Sequence, residues 1–451
     1  MTAAAQSRRS MTRRAIAVAW PAVMESFFVV LAGMIDTMMV AELGPYAVAA
    51  TGLTAQPKFI GLTVFFGVNI AVSALVARRK GERNQEDANE ITLTALWLTI
   101  ALCAVLTAVF VVFTPQMMRL AGSNGDTHEA AVEYFRIIMG GMFFNVITML
   151  INAAQRGSGN TKLSMYTNVV SSVVNIIFNW LLIKGRLGFP AWGIRGAAIA
   201  TVLGTVVSAG MAVFSLFRRT SYVRIPLMIS LKSRFTKHAC KSIWNLAASS
   251  TVENLAMRVG FLATALIAAR LGTDEFAAHN IGMNLLGLGF SFADGMQVAA
   301  IALTGESLGA GEKERARQQA GICQRMGFII SLVLSLILLL GGRWIFSLYF
   351  KEAHILDMGV LICRFMTVII LLQISQIIFT GTLRAAGDVR YTLIVALISV
   401  TFIRTVVTFL LVVVFRLGLT GVWIGILSDQ GSRFLMMRRR FRQGKWVDLK
   451  I

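Results

Sequence analysis

Trp20 to Gly44, WPAVMESFFVVLAGMIDTMMVAELG, is the stretch whose reading decides the fold. Its apolar length suits a membrane-spanning helix, yet it carries two carboxylates, Glu25 and Asp36. A charge inside a bilayer is costly, so acids at membrane depth face a cavity or a partner and mark a pathway. The two acids stand eleven residues apart. At about 100° per residue, both lie on one helix face, about 16 Å from each other. Pro21 precedes Glu25 by one turn and removes a backbone donor, which permits a bend there. Two acids tied structurally to neighbouring helices would satisfy the same pattern.

Working outward, the rest of the chain has the same character. Of 451 residues, 56% are hydrophobic and 14% charged, against about 25% charged in a soluble domain. Such a chain cannot solvate a globular surface, so an integral membrane protein is expected. The first apolar run follows QSRRSMTRRA without an A-x-A-like exit, so no cleaved signal peptide is read. Twelve spans fit, at roughly 15–40, 47–77, 91–113, 129–154, 163–185, 195–217, 243–270, 276–307, 320–341, 354–383, 391–415 and 418–436. With both termini inside, 30 of the 43 Lys and Arg fall on inner segments and about seven on outer ones, the bias that marks a cytoplasmic face. The net charge of +21 then belongs to loops that touch anionic headgroups, and no nucleic-acid partner is read from it. Cys103, Cys240, Cys323 and Cys363 are far apart, so free thiols are expected. His128, His238, His279 and His354 show no metal-ligand spacing.

The chain also repeats itself at an offset of about 228 residues. LGPYAVAATG from Leu43 returns as LGTDEFAAHNIG from Leu271, and QRGSGN from Gln155 as LRAAGD from Leu383. Gly81 falls on Gly309, Arg156 on Arg384 and Gly159 on Gly387. The expected fold is therefore all-α and integral to the membrane: twelve transmembrane helices in two six-helix pseudo-symmetric halves. Residues 1–217 would form the first half, 218–242 a cytoplasmic linker, 243–437 the second half and 438–451 a basic cytoplasmic tail. Six helices keep their orientation from copy to copy, so the repeats are read as parallel, a plan that suits alternating access.

The repeat sorts the charges. Glu25 falls on Glu253, whereas Asp36 falls on Thr264 and has no counterpart. In the second half, Glu253, Asp294 and Asp429 balance Arg258, Arg404 and Arg433, and Arg258 and Arg404 are expected to be neutralised chiefly by Glu253 and Asp294. In the first half only Arg136 is set against Glu25 and Asp36, which makes that half the expected cation site. Its spans also hold Pro21 and Pro57. NVVSSVVNIIFNW puts Asn175 and Asn179 one turn apart on one helix face, and GIRGAAIAT brings Thr201 into the next span. Their oxygens suit a hard cation or a protonated carboxyl group, or they bond helix to helix. GSGNTK from Gly157 lacks the spacing of a phosphate loop, and neither G-x-S-x-G nor H-E-x-x-H occurs.

Taken in order, these motifs resemble the multidrug and toxic compound extrusion (MATE) transporters, in the bacterial branch that keeps its cation-coupling acid in the first half. The resemblance is carried by Pro21 and Asp36, the LG-x-x-A-x-A pattern at Leu43, GSGNTK, the Asn175–Asn179 helix, G-x-x-GAAIAT from Gly193 and LGAG at Leu308. It covers nearly the whole chain; each motif is loose, and their order is specific. It implies that Asp36 takes a proton or holds Na⁺, that Asn175 and Thr201 are its polar partners, and that Glu253 matches an acid used in other branches. Two departures stand out. Asn179 occupies a place where related sequences often carry a second acid, and the tenth span, ICRFMTVIILLQISQIIFT, has none. One fewer negative charge makes Na⁺ harder to hold and favours H⁺.

The expected activity is thus efflux of amphiphilic or cationic small molecules in exchange for H⁺, with Na⁺ the less favoured ion. No cofactor is read beyond the coupling ion. The ion-binding candidates are Asp36, Glu25, Asn175, Asn179, Thr201 and Glu253; Asp36, Asn175, Asn179 and Thr201 would be the ligands if Na⁺ is used. The expected setting is a monomer in the bacterial inner membrane. A flippase for a lipid-linked precursor is the alternative, since Arg258 and Arg404 could face a pyrophosphate. A membrane-embedded enzyme is disfavoured, because no catalytic constellation is present.

Overall fold

The computed structural model describes residues 3–123, 125–230 and 235–449. Lys232, Arg234 and Lys450, counted above on inner segments, lie outside them, as do linker residues 231–234 and the side chains of residues 3–8, Pro45, Ser230 and Thr273. The described chain is helical, without a strand. Two compact units divide it: an N-unit of Met24–Thr251, and a C-unit of Met1–Val23 with Val252–Ile451.

Helix α1 (Ala3–Ala41) opens the chain, and α10 (Lys237–Ala269) opens its second half. The N-unit holds α2 (Pro45–Gly81), α3 (Gln85–Val112), α4 (Thr114–Leu120), α5 (His128–Gly140), α6 (Met142–Gly157), α7 (Thr161–Leu182), α8 (Gly193–Ser215) and α9 (Ile225–Ser230). The C-unit holds α11 (Thr273–Gly309), α12 (Lys313–Ser347), α13 (Ala353–Ala385), α14 (Val389–Ala396), α15 (Thr405–Phe409) and α16 (Gly418–Gln443). Among the described residues, ten stretches are long and apolar enough to cross a membrane, and α5 with α6, bent by 47°, makes an eleventh. Helix α16 stands at the twelfth expected span; at 26 residues it is long enough, but Asp429, Arg433 and a run of arginines lower its apolarity.

The boundary between the units differs from the expected halves. It falls within α1 at Val23/Met24 and within α10 at Thr251/Val252, equivalent points of the repeat 228 residues apart, and not in the 218–242 linker. Packing gives the reason. Met11, Ala15, Val18 and Ala19 belong to one buried cluster with Ala293, Met296 and Ala299 of α11. Arg14 Nη2 donates to both carboxylate oxygens of Glu306, at 2.6 and 2.7 Å. A Cβ on Gly295 would lie 2.5 Å from the Val23 backbone, so only glycine allows this approach. In the N-unit, a Cβ on Gly67 would lie 2.6 Å from the Ala247 carbonyl of α10. Pro21 and Pro57 both sit inside continuous helix.

The repeat extends to backbone detail. Gly159 (φ 84°) and Gly387 (φ 86°) close α6 and α13 in the left-handed region. Gly159 N–H bonds the Arg156 carbonyl at 2.9 Å, and Gly387 N–H bonds that of Arg384 at 3.0 Å. One difference follows in the next span. Where α7 is regular, its counterpart carries π-helical turns at Leu397–Arg404 and Leu410–Val414. They add a residue to the register: α8 and α16 start 225 residues apart, at Gly193 and Gly418, so Gly196 matches Gly421; Gly196 packs on Leu182 and Gly421 on Leu411, an offset of 229 in this span (411 less 182). Asn175 thereby falls on Arg404, and Asn179 on Thr408. The described part of the 438–451 tail is folded: α16 runs to Gln443, and Trp446 folds back fully buried, its ring 5.3 Å from that of Phe441.

Candidate functional site

Within the N-unit, α1, α2, α5, α7 and α8 bring polar side chains together at membrane depth. Asp36 is half-buried on α1. Asn179, fully buried on α7, donates from Nδ2 to Asp36 Oδ1 at 2.5 Å. The same amide reaches Asn175 Oδ1 at 3.4 Å, and Asn175 Nδ2 donates to Thr201 Oγ1 at 3.1 Å. Thr201 Oγ1 in turn donates a hydrogen bond to the Ala197 carbonyl at 3.0 Å. Asn179 is thus the branch point: it donates to the carboxylate and also starts a chain through Asn175 and Thr201 that ends on the Ala197 carbonyl, built because 175 and 179 share a helix face. Asn179 Oδ1 is buried and finds no donor among the described residues. Four of the six sequence candidates, Asp36, Asn175, Asn179 and Thr201, therefore meet in one place.

Glu25 and Glu253 stand elsewhere, each in its own ion pair. Glu25 Oε1 accepts from Arg156 Nη1 at 3.0 Å, Ser164 Oγ at 2.8 Å and Asn168 Nδ2 at 2.6 Å. Glu253 Oε2 meets Arg384 Nη2 and Thr392 Oγ1, both at 3.0 Å. Arg156 and Arg384 are repeat mates, as are Ser164 and Thr392, so the repeat reproduces the whole arrangement. Arg404 also departs from expectation: it pairs with Asp429 at 3.5 Å and not with Glu253. Asp429 takes two further bonds of 2.9 Å from Arg433, one turn along α16.

The charge inventory of the N-unit needs correction as well. Arg136 is exposed and Glu25 belongs to Arg156; the cation that acts on Asp36 is Lys58 of α2. Lys58 makes no hydrogen bond or ion pair among the described residues, so it acts on Asp36 through charge alone and not through a salt bridge. It lines a cavity of about 30 Å³ with Asn145, Thr201 and Thr205, room for a water or a small ion. Tyr134 of α5, buried beside Thr201, is the other group the sequence reading missed. A signal for Lys58 was present: AQPKFIGL sets a lysine directly after Pro57 in the middle of an apolar span.

The equivalent place in the C-unit has the opposite sign. Thr264 stands where Asp36 stands, and Arg404, in the position of Asn175, donates from Nε to Thr264 Oγ1 at 3.0 Å. Its guanidinium also lies 4.6 Å from the ring centre of Phe261. A carboxylate held by amides in one copy has become a threonine held by a guanidinium in the other.

Comparison with known proteins agrees with the duplicated plan. The family model described as MatE matches twice, over residues 21–181 and 250–410, more than half of the chain. A probable multidrug resistance protein NorM of Thermotoga maritima is 27% identical over 435 residues, 96% of this chain and 92% of that protein. A solved multidrug resistance MATE family transporter of the MOP superfamily, in an outward-facing conformation, is 25% identical with a TM-score of 0.88, covering 96% of this chain and 97% of its own. A MOP superfamily transporter from Pyrococcus furiosus shares the fold at a TM-score of 0.89 and 24% identity, over 98% of this chain and 97% of its own.

Proposed function

The chain belongs to the MatE family of membrane transporters, and on that premise we propose that it is an efflux antiporter for amphiphilic or cationic small molecules, coupled to H⁺ through Asp36. Alternating access between the two sides of a bacterial plasma membrane, with both termini cytoplasmic, fits the duplicated plan. One observation carries the assignment of Asp36. Glu25, Glu253 and Asp429 are each held by an arginine at 3.0 Å or less, whereas Asp36 is held by an amide. A carboxylate locked to a guanidinium is a poor proton carrier, because losing its charge would strand the buried cation. Asp36 has no salt bridge among the described residues, so protonating it breaks none, and Asn179 can turn to serve either form. The multidrug names of the relatives support small-molecule cargo. A lipid pyrophosphate would need free guanidinium groups, and Arg404 is engaged by Asp429 and Phe261.

Drug-induced proton release from reconstituted vesicles tests the reading, with a fluorescent organic cation and a labelled lipid precursor as parallel cargoes. Wild type should release protons with the organic cation only. Asp36→Asn should reach the membrane at wild-type levels and lose the release. Full proton release by Asp36→Asn would move the coupling residue elsewhere, and transport of the lipid alone would overturn the cargo.

A further inference from the structure

We infer that Lys58 is the residue that denies Na⁺ to the Asp36 site, its tethered ammonium supplying the counter-charge that a bound Na⁺ would otherwise supply. The inference deepens the coupling reading above and rests on it for its meaning, but not for its test.

Asp36, Asn175, Asn179 and Thr201 look at first like a place for a small hard cation. They offer a carboxylate, two amide oxygens and a hydroxyl, and Asn179 Oδ1 is a buried acceptor with no donor among the described residues. Oxygen ligands of this kind suit such ions. The charges that face the carboxylate decide otherwise. From α5 comes Tyr134, from α7 and α8 only amides and a hydroxyl, and from α2 comes Lys58. Lys58 lines the small cavity that Thr201, the last polar group of the Asp36 cluster, also lines. It is tied to no other carboxylate by an ion pair among the described residues, so Asp36 is the anion its charge acts on. With Lys58 in place, one carboxylate is already balanced, and an arriving Na⁺ would add a second positive charge against one negative. At a typical separation of about 6 Å and an effective dielectric of about 20, that repulsion weakens binding on the order of a hundredfold. The oxygen set therefore fits Na⁺, whereas the charge balance does not. The four-carbon stem of a lysine also lets its ammonium shift toward Asp36 or away as occupancy changes, which a fixed guanidinium fork does less readily.

The experiment is equilibrium binding of radioactive ²²Na⁺ to the purified full-length protein in lipid nanodiscs, independent of any transport. Lys58→Met keeps the length of the side chain and removes its charge; Lys58→Arg keeps the charge. Folding of each is checked by size-exclusion profile and thermal melt, and Lys58→Gln replaces Lys58→Met if that variant fails them. Wild type and Lys58→Arg should bind Na⁺ weakly. The neutral variant should bind it on the order of a hundredfold more tightly, and the gain should vanish when Asp36→Asn is added. Wild type binding Na⁺ through Asp36 as tightly as the neutral variant would overturn the inference, as would a folded neutral variant with no gain. Failure of the coupling reading is separate: it would appear as proton release by Asp36→Asn with the Na⁺ pattern intact.

Discussion

Asp429 should prove a structural acid, and replacing it by alanine measures how strongly. Its side chain has no solvent exposure, and the two guanidinium groups around it, Arg433 and Arg404, are 5% and 1% exposed. Asp429→Ala removes two charge-assisted bonds of 2.9 Å to Arg433 and the 3.5 Å contact with Arg404. Arg404 keeps Thr264 and Phe261, but Arg433 keeps, among the described residues, a 3.9 Å contact with the Met257 sulfur alone. Stripping one partner from a buried pair costs about 3–5 kcal/mol. At roughly 2–4 °C per kcal/mol for a unit of this size class, the melting temperature should fall by about 6–20 °C. Fluorescence-detected size exclusion after heating, in one detergent, reads the shift. Adding Arg433→Met to Asp429→Ala should recover at least half of it, since the stranded charge leaves with the arginine. A shift below about 1 °C for Asp429→Ala, or a double variant less stable than the single one, would refute the argument that the arginines depend on this carboxylate.

Two further outcomes follow from the same geometry. Glu25→Gln and Glu253→Gln should each lower thermal stability, by about 1–3 kcal/mol, while drug-induced proton release per folded molecule persists. The second should suffer more, because its pair with Arg384 is 5–6% exposed whereas Arg156 beside Glu25 is 23% exposed; loss of proton release at normal stability would contradict this. Gly425→Ala should destabilise by about 1–3 kcal/mol through overpacking, because its new Cβ would stand 2.0 Å from Thr408 Oγ1. Thr408→Ala in the same chain should restore the melting temperature, and absence of that rescue would place the strain elsewhere.

How much was legible beforehand depends on the range of the physics involved. Apolar runs, basic loops and a 228-residue echo are properties of consecutive residues, so the helical class, the span positions and the duplicated halves could be read directly. Asn175 and Asn179 share a face by helical period alone, and Asp36 stood out because its repeat mate is Thr264. Partnerships were another matter. The price of a buried charge is visible at each residue, but the group that relieves it is chosen by packing across helices: Arg156 lies 131 residues from Glu25 and bonds it at 3.0 Å. Lys58 was one more basic residue in a span until α2 brought it to Asp36. The unit boundary at Val23/Met24 likewise follows from a close approach to Gly295 that no local pattern announces. The one-residue register shift of the π-helical turns, after which Arg404 bonds Thr264 at 3.0 Å, is equally invisible in the letters, since it lies in the backbone hydrogen-bond pattern and not in the residue types.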